Sequence, residues 1–310
     1  MTKESLLIAD DLAERSVKGR LRSRLMRDNA IEFAKKMNLT VELLFVMNLN
    51  SKLFKKKQLT ILSETVNAVK TSVENQFAKS QVPLKIKIKY GVPVEEILGE
   101  INLLDKLQLL VLSTQGKKGL QKTLLGSVTE DVLRNSQVPA LVLGPAAQEK
   151  QSVLKMDKNL RIHFLTDLGD SSIEAENYVL KLCTQLNCSV VIIHSIGEQI
   201  KTLRDNIYST GYLTFNMEQM FNQMVEDAQR ALQRKVRSWT KQGIKATSLL
   251  IEKEEPLEKS LKLQRSSEAG LIVMGTHGRN KVISSFIGST ARKVVLSSPV
   301  PVIVVHSIKK

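Results

Sequence analysis

The chain contains few cysteines, few aromatic residues and no long apolar run. Its 310 residues include two cysteines, Cys183 and Cys188, and aromatic side chains make up 4% of the total. Neither cysteine belongs to a CxxC pair or lies near a histidine, which argues against a zinc or disulfide framework and favours buried free thiols. The four histidines are scattered singly without metal-ligand spacing. The sequence therefore predicts no metal site.

The apolar residues are distributed as in a globular protein. Lys, Asp or Gly interrupts every strand-like run, so none approaches the roughly 20 residues that a membrane-spanning helix needs. The first residues, MTKESLLIADD, show neither an apolar signal core nor a cleavage-site pattern. The composition, with 42% hydrophobic and 25% charged residues, is that of a globular protein. A chain of 310 residues is long enough to form two domains, each with a buried core. We expect a cytoplasmic protein without a membrane segment.

A net charge of +15 raises the question of nucleic-acid binding. Basic residues exceed acidic ones by 24 to 16 in residues 1–150 and by 22 to 15 in residues 151–310, so the excess is shared evenly. Few aromatic residues interleave with the basic ones, which removes the stacking platform expected of a single-strand binder. We interpret the densest run as a solvated surface and consider nucleic-acid binding unlikely; this run comprises Lys18, Arg20, Arg22, Arg24 and Arg27.

The chain repeats itself at an offset of 162 residues. Residues 109–144 align without a gap with residues 271–306, and eleven positions are identical. A self-match of this length indicates two copies of one architecture. We predict a first domain at residues 1–146, a second at residues 158–310, and a linker near residues 145–159.

Short β-branched runs alternate with helical patterns in both halves, which predicts an α/β fold with parallel sheets and helices on both faces. The predicted strands are 5–10, 41–47, 84–90, 109–113 and 140–143 in the first half, and 161–166, 190–194, 245–251, 271–274 and 302–305 in the second.

A glycine-rich loop, GTHGRNKVISSFIGST at residues 275–290, follows an apolar strand and precedes a helix. Gly275 and Gly278 allow the backbone to approach a ligand closely. Gly288 then opens a helix whose free amides favour phosphate, with the hydroxyls of Ser289 and Thr290 beside them. The alternative is that the glycines make a turn and Ser289 caps the helix.

Other candidate residues lie inside this loop or at the ends of neighbouring strands. His277 and Arg279 could meet phosphate oxygens, or they could be exposed without a role. Asp167 and Ser195 follow the first two strands of the second half, at the sheet edge where such folds bind ligands. Asp167 could contact a nucleotide or a phosphate-bridging Mg²⁺, or it could belong to a helix start in which Ser171 and Glu174 are spaced as a capping box. We interpret His194 as a core histidine.

These residues resemble the universal stress protein family in its tandem two-domain form. The family's pattern is Gly, two residues, Gly, nine residues, Gly and Ser or Thr, and Thr166 followed by Asp167 is also similar to the family's first strand end. The resemblance implies two Rossmann-like domains, each with a five-stranded parallel sheet of order 3-2-1-4-5. It also implies an adenine nucleotide, ATP, ADP or AMP, with Mg²⁺ as an optional companion. Asp167 and Ser195 would lie near the adenosine, and the phosphates would be lined by Gly275, Gly278, Gly288, Ser289 and Thr290.

The first half departs from this pattern. Ser113 stands where the first glycine is expected, although Gly116, Gly126 and Ser127 remain. A Cβ at that turn restricts close backbone approach, so we predict weak or no nucleotide binding there. The final strands, 140–143 and 302–305, are expected to pair with each other inside one chain, since the family's final strands commonly pair across a dimer; a homodimer stays an alternative.

The sequence favours a nucleotide-binding stress-response protein with a regulatory role. It contains no catalytic triad, no metal-ligand cluster and no Walker-type GK[ST]. One alternative is slow ATP hydrolysis or self-phosphorylation, with Asp167 holding Mg²⁺ and Ser289 or Thr290 as acceptor. Another is a non-catalytic scaffold whose basic first helix meets an acidic partner. Whether residues 196–216 form a lid or pack on the domain is left open.

Overall fold

A computed structural model describes residues 3–10, 16–47, 56–114, 125–210, 217–252, 269–276 and 287–307. Three of the predicted site residues, His277, Gly278 and Arg279, lie outside these ranges. No helix within them is both long and apolar enough to cross a membrane.

Strands and helices alternate in the first half, as expected, whereas in the second half two helices lie between the second and third strands, and residues 253–268 between the third and fourth strands lie outside the described ranges. The first half consists of β1 (Ser5–Asp10), α1 (Val17–Met37), β2 (Thr40–Met47), α2 (Lys56–Ala78), β3 (Leu84–Tyr90), α3 (Pro93–Leu103), β4 (Leu107–Ser113), α4 (Ser127–Asn135) and β5 (Ala140–Leu143). A short helix, α5 (Pro145–Glu149), leads to the second half. There follow β6 (Arg161–Leu165), α6 (Ile173–Leu186), β7 (Ser189–Ser195), α7 (Gly197–Thr210), α8 (Met217–Lys241), β8 (Lys245–Ile251), β9 (Ala269–Gly275), α9 (Ser289–Ser297) and β10 (Val302–Val305).

All ten described strands belong to one sheet, in the order β3-β2-β1-β4-β5-β10-β9-β6-β7-β8. Each half has the expected order 3-2-1-4-5 with parallel neighbours. The halves join through an antiparallel pair in which Ile303 of β10 lies opposite Leu141 of β5. The expected pairing of the two final strands within one chain is therefore present, and it covers two edges that would otherwise be open.

The central strands are apolar because both of their faces are buried. Leu6 and Ile8 of β1 contribute to one hydrophobic cluster, whereas Leu7 between them contributes to another. Successive side chains of a strand point to opposite faces, so the two clusters lie on opposite sides of the sheet. Such strands read as continuous apolar runs, which is why sequence patterning located them.

The linker is packed into the protein. Leu154 is buried in the core, and its amide donates to Oδ1 of Asn29 on α1 at 2.9 Å. The amide group of Asn29 donates in turn to the carbonyl of Ser152 at 2.9 Å and to that of Leu25 at 2.8 Å. Asn29 is fully buried, so this one side chain ties the segment between the halves to the first half.

Of residues 196–216, whose role was left open, the described beginning packs against α8. Ile196 and Ile200, the latter on α7, are buried against Ala228 of α8. Phe221 and Met224 pack around this small cluster. Residues 211–216 lie outside the described residues.

Candidate functional site

The candidate site lies where the strand order reverses in the second half. β6 lies between β7 and β9, and its last residue, Leu165, pairs with Ile193 on one side and Met274 on the other. Parallel sheets bind ligands in the crevice at the carboxyl ends of such strands. Thr166 and Asp167, Ser195, and Gly275 follow or end these three strands, so the fold brings four of the predicted site residues to one edge.

The amino end of α9 reaches the same edge. The Gly288 amide donates to the carbonyl of Thr276 at 2.8 Å, which holds the start of the helix beside the end of β9. The first bond along the helix runs from the Arg292 amide to the Gly288 carbonyl at 3.0 Å. The amides of Ser289, Thr290 and Ala291 precede that bond and so have no acceptor within the helix.

No described side chain competes for these amides. α9 has no acidic residue in its first turn and no side-chain hydrogen bond at its cap. The cap position is taken by Gly288, and Ser289 is the first residue of the helix, so the alternative in which Ser289 caps the helix is wrong. Ser289 is exposed and Thr290 half-buried. The positive end of the helix dipole therefore lies beside amides without a helical acceptor and beside the hydroxyl groups of Ser289 and Thr290.

Gly288 and its counterpart in the first half, Gly126, differ in their backbone conformation. Gly126 has φ of 88°, a conformation that other residues adopt only at a cost. Gly288 has φ of −53° and ψ of 145°, which any residue adopts. The backbone therefore does not require glycine at position 288, and what glycine contributes there is the absence of a side chain.

The carboxylate of Asp167 is held by its own loop. Oδ1 accepts hydrogen bonds from the Gly169 amide at 2.9 Å and the Ser172 hydroxyl at 2.6 Å, and Oδ2 accepts from the Ser171 hydroxyl at 2.6 Å. The capping box of Ser171 with Glu174, one of the two alternatives, is not formed, because α6 begins with a 3-10 turn and has no side-chain bond at its cap. Asp167 is thus fixed, half-buried, at the strand end.

The described residues offer little for a divalent cation. Both oxygens of Asp167 already accept hydrogen bonds. No group of three or more His, Cys, Asp or Glu side chains within the described ranges is arranged to hold a metal ion. The donor groups around Asp167 fit an organised loop better than an Mg²⁺ shell, which consists of oxygen ligands.

His194 is a satisfied core histidine, as predicted. It is 2% exposed, and its Nδ1 lies 2.8 Å from the carbonyl oxygen of Thr166. A carbonyl can only accept, so Nδ1 carries the proton in this contact. This hydrogen bond fixes the peptide group between Thr166 and Asp167 and so helps to position Asp167.

The first half fills the corresponding position with an internal ion pair. Oδ2 of Asp10, at the end of β1, lies 2.6 Å from Nη1 of Arg27, and Oδ1 accepts from Ser23 at 2.6 Å. The Asp10 and Arg27 side chains are only 2% and 10% exposed, and Arg27 also donates to Gln76. The expectation that the whole basic run of α1 is solvated is wrong for Arg27 and for Arg22, which is also buried.

Sequence patterning could have found Arg27 on the buried face. It lies three and seven residues before Ala30 and Ala34, which are buried, and this is the spacing of one helix face. The charge of Arg27 suggested that its side chain is exposed to solvent, because burying an isolated arginine is energetically costly. The ion pair with Asp10 offsets this cost.

The prediction that the two cysteines are buried free thiols is confirmed. Cys183 near the end of α6 and Cys188 before β7 are both buried, with their sulfur atoms 3.8 Å apart. The Cys188 hydrogen bond and burial raise the pKa of the Cys183 thiol. That protonated state agrees with a structural role.

Fold and site together define a class, an α/β protein of two tandem Rossmann-like domains with a candidate ligand edge in the second. The chain belongs to the universal stress protein family, whose sequence profile matches residues 19–144 and 159–306. A universal stress protein of Mycobacterium tuberculosis is 22% identical over 239 residues, covering 77% of this chain and 74% of that protein.

A solved structure shows the same fold. A universal stress protein from Archaeoglobus fulgidus superimposes with a TM-score of 0.64 at 20% identity, covering 97% of this chain and 96% of that one. A universal stress protein in complex with cAMP covers 46% of this chain with a TM-score of 0.33, at 19% identity and over 98% of its own length.

Proposed function

We propose that the second domain binds an adenine nucleotide, ATP, ADP or AMP, and that the protein acts as a nucleotide-responsive stress protein rather than as a catalyst. The observation that carries this proposal is the start of α9. Gly288 has no conformational need to be glycine, and the amides that follow it have no acceptor in their helix. A position that omits a side chain beside free amides is suited to an anionic group that approaches the backbone closely.

The phosphates would lie against Gly288, Ser289 and Thr290, across from Gly275 at the end of β9. No acidic residue of the first turn opposes them, and two hydroxyls add hydrogen bonds. Gly278 would extend the glycine surface, with His277 and Arg279 as further contacts to phosphate oxygens.

The adenosine would lie toward β6 and β7, near Thr166, Asp167 and Ser195. The carboxylate of Asp167 would accept hydrogen bonds from ribose hydroxyls, and the hydrogen bonds from its loop hold this carboxylate in place. Because those bonds use both oxygens, the proposal assigns Asp167 to ribose recognition and gives Mg²⁺ no protein ligand there.

The first domain, residues 1–146, would not bind nucleotide with comparable affinity. The side chain of Asp10, the counterpart of Asp167, is only 2% exposed and forms an ion pair with Arg27, whereas Asp167 is half-buried. In addition, Ser113 replaces the first glycine. The second domain, residues 158–310, would therefore carry the one site. We place the protein in the cytoplasm, where adenine nucleotides are abundant.

Calorimetry and native mass spectrometry with ATP and AMP test the proposal. We expect one nucleotide per chain, and Gly278→Val to weaken binding by about tenfold, or about 1.4 kcal/mol. Gly116→Val, at the equivalent position of the first domain, is the matched control and should bind as the unchanged chain does. A chain that binds no nucleotide refutes the proposal, and two nucleotides per chain refute the assignment to one domain.

A further inference from the structure

Glu130 on α4 and Arg292 on α9 form an ion pair that joins the two domains. They are 162 residues apart, which is the repeat offset, so they occupy the same position in the two copies. Their side chains are 14% and 27% exposed, respectively. Arg134 of α4 also approaches the same Glu130 oxygen, at 3.6 Å.

The equivalence of the two positions explains the choice of charges. Where two copies of a domain pair symmetrically, a residue beside the axis faces its own copy. An identical Glu or an identical Arg on both sides would bring like charges together in a partly buried place. In this chain the repeats carry opposite charges at this position, as they do at the next one, where Asp131 is equivalent to Lys293. The first domain therefore supplies to Arg292 the partner that a second copy of the same domain could not.

The ion pair acts close to the amino end of α9. The Arg292 amide makes the first bond of the helix, to the Gly288 carbonyl. Four residues at a rise of about 1.5 Å place Arg292 only about 6 Å along the axis from Gly288. A second contact from the first domain lies further along, where Gly144 is so close to the Val295 carbonyl that an added Cβ would be 1.8 Å from its oxygen.

We propose that Glu130, a residue of the first domain, is a positioning residue for the phosphate end of α9 in the second. This inference rests on the proposed function. In the first domain, the Asp10–Arg27 ion pair fills the position that corresponds to Asp167. The contact from Glu130 of this domain fixes the direction in which the free amides of α9 point. Nucleotide affinity in one domain thereby depends on a charge in the other.

The test uses full-length Glu130→Arg and Glu130→Gln, with Asp131→Asn as matched control. Asp131 is the next residue of α4 and its described ion pair is with Arg134, at 3.5 Å within the same helix. We expect both Glu130 variants to weaken ATP binding by about fivefold or more and to leave adenosine binding unchanged, because adenosine has no phosphate to meet α9. Asp131→Asn should change neither affinity. Glu130→Gln keeps the side-chain shape and serves if the arginine variant does not fold.

Hydrogen exchange without ligand gives a second readout that does not depend on nucleotide. We expect faster exchange in residues 289–297 of the Glu130 variants and unchanged exchange in residues 173–186 of α6. Normal ATP affinity with normal exchange in α9 overturns the positioning role, and so does an equal loss of ATP and adenosine binding. If the unchanged chain binds no ATP, the proposed function is refuted. Faster exchange in α9 of the Glu130 variants would still support the contact between Glu130 and the helix.

Discussion

At the scale of single residues, His163 couples folding to pH. It lies in the middle of β6 between Val191 and Ile272, is 4% exposed, and its Nε2 has no hydrogen-bond partner among the described residues. Burial, and then the positive charge of Arg161, lower the pKa of His163 from 6.5 to about 4. The folded protein therefore keeps this ring neutral.

The direction of the pH effect follows from which state binds the proton. Between pH 6.5 and about 4 the unfolded chain protonates His163 whereas the folded chain does not, so lowering the pH through this window favours unfolding. The full contribution is about 3 kcal/mol, from about 1.4 kcal/mol per pKa unit. Below about pH 4 both states are protonated and no further loss arises from this residue.

We predict that His163→Leu flattens the pH dependence of stability by about that amount. Urea unfolding at several pH values between 7 and 4 would measure it, as the difference in the free energy of unfolding between variant and unchanged chain. Carboxylates contribute equally to both proteins and cancel in that difference. A difference that stays constant with pH would contradict the assignment to His163.

At the scale of elements, α9 is held by backbone packing from the first domain as well as by charge. Gly144 directly follows β5 and has φ of −74°, an ordinary conformation. Glycine is therefore needed at this position because there is no room for a side chain, and not because of its backbone angles. A Cβ there would meet the Val295 carbonyl oxygen at 1.8 Å and the Val295 carbonyl carbon at 2.9 Å. The contact is with backbone on both sides, so no side chain can rotate to relieve it.

We predict that Gly144→Ala destabilises the protein by about 3 kcal/mol, since α9 must move away from the first domain. Gly99→Ala is the matched control, because an added Cβ at Gly99 meets nothing within 4 Å. Gly99 lies inside α3, where alanine is the better helix former, so this change should stabilise by about 0.5 to 1 kcal/mol. Thermal and urea unfolding of both variants check the pair, and equal effects of the same sign would argue against close packing at Gly144.

At the scale of the whole molecule, the sequence predicts what is local and repeated. Strands such as β9, predicted at 271–274 and observed at Ala269–Gly275, are visible because a buried parallel strand is a continuous apolar run. Their order came from the family resemblance, and the pairing of β5 with β10 follows from the same source. These features depend on patterns that neighbouring residues share.

Contacts between distant residues could not be predicted in that way. The alignment of the repeats places Glu130 opposite Arg292 but does not say that the pair meets, and nothing local marks Asn29 as the residue that holds the linker. The burial of Arg27 depends on Asp10, which lies seventeen positions away. Each of these polar groups is wholly or partly buried and meets its partner only through the tertiary fold.

The continuous sheet and the tied linker imply that the two domains unfold together. β5 and β10 pair directly, and the buried Asn29 side chain makes three hydrogen bonds, two of them to the linker. The single tryptophan of the chain, Trp239, lies in the second domain, where it stacks on Phe164 at 5.8 Å. Its fluorescence therefore reports on the second domain alone, whereas circular dichroism reports on the helices and strands of both.

We predict that Asn29→Ala lowers the free energy of unfolding by about 3 kcal/mol, because the buried Leu154 amide and the partly buried Ser152 carbonyl lose their partner. In a single cooperative unit the midpoint of the Trp239 fluorescence transition must shift by the same amount as that of the circular dichroism, although the substitution lies in the first domain. Asn135→Ala is the control, since Asn135 is exposed and bonds within its own helix; it should move both midpoints little. A fluorescence midpoint that stays in place while the dichroism shifts would mean that the domains unfold separately, and that the β5 and β10 pairing does not couple them.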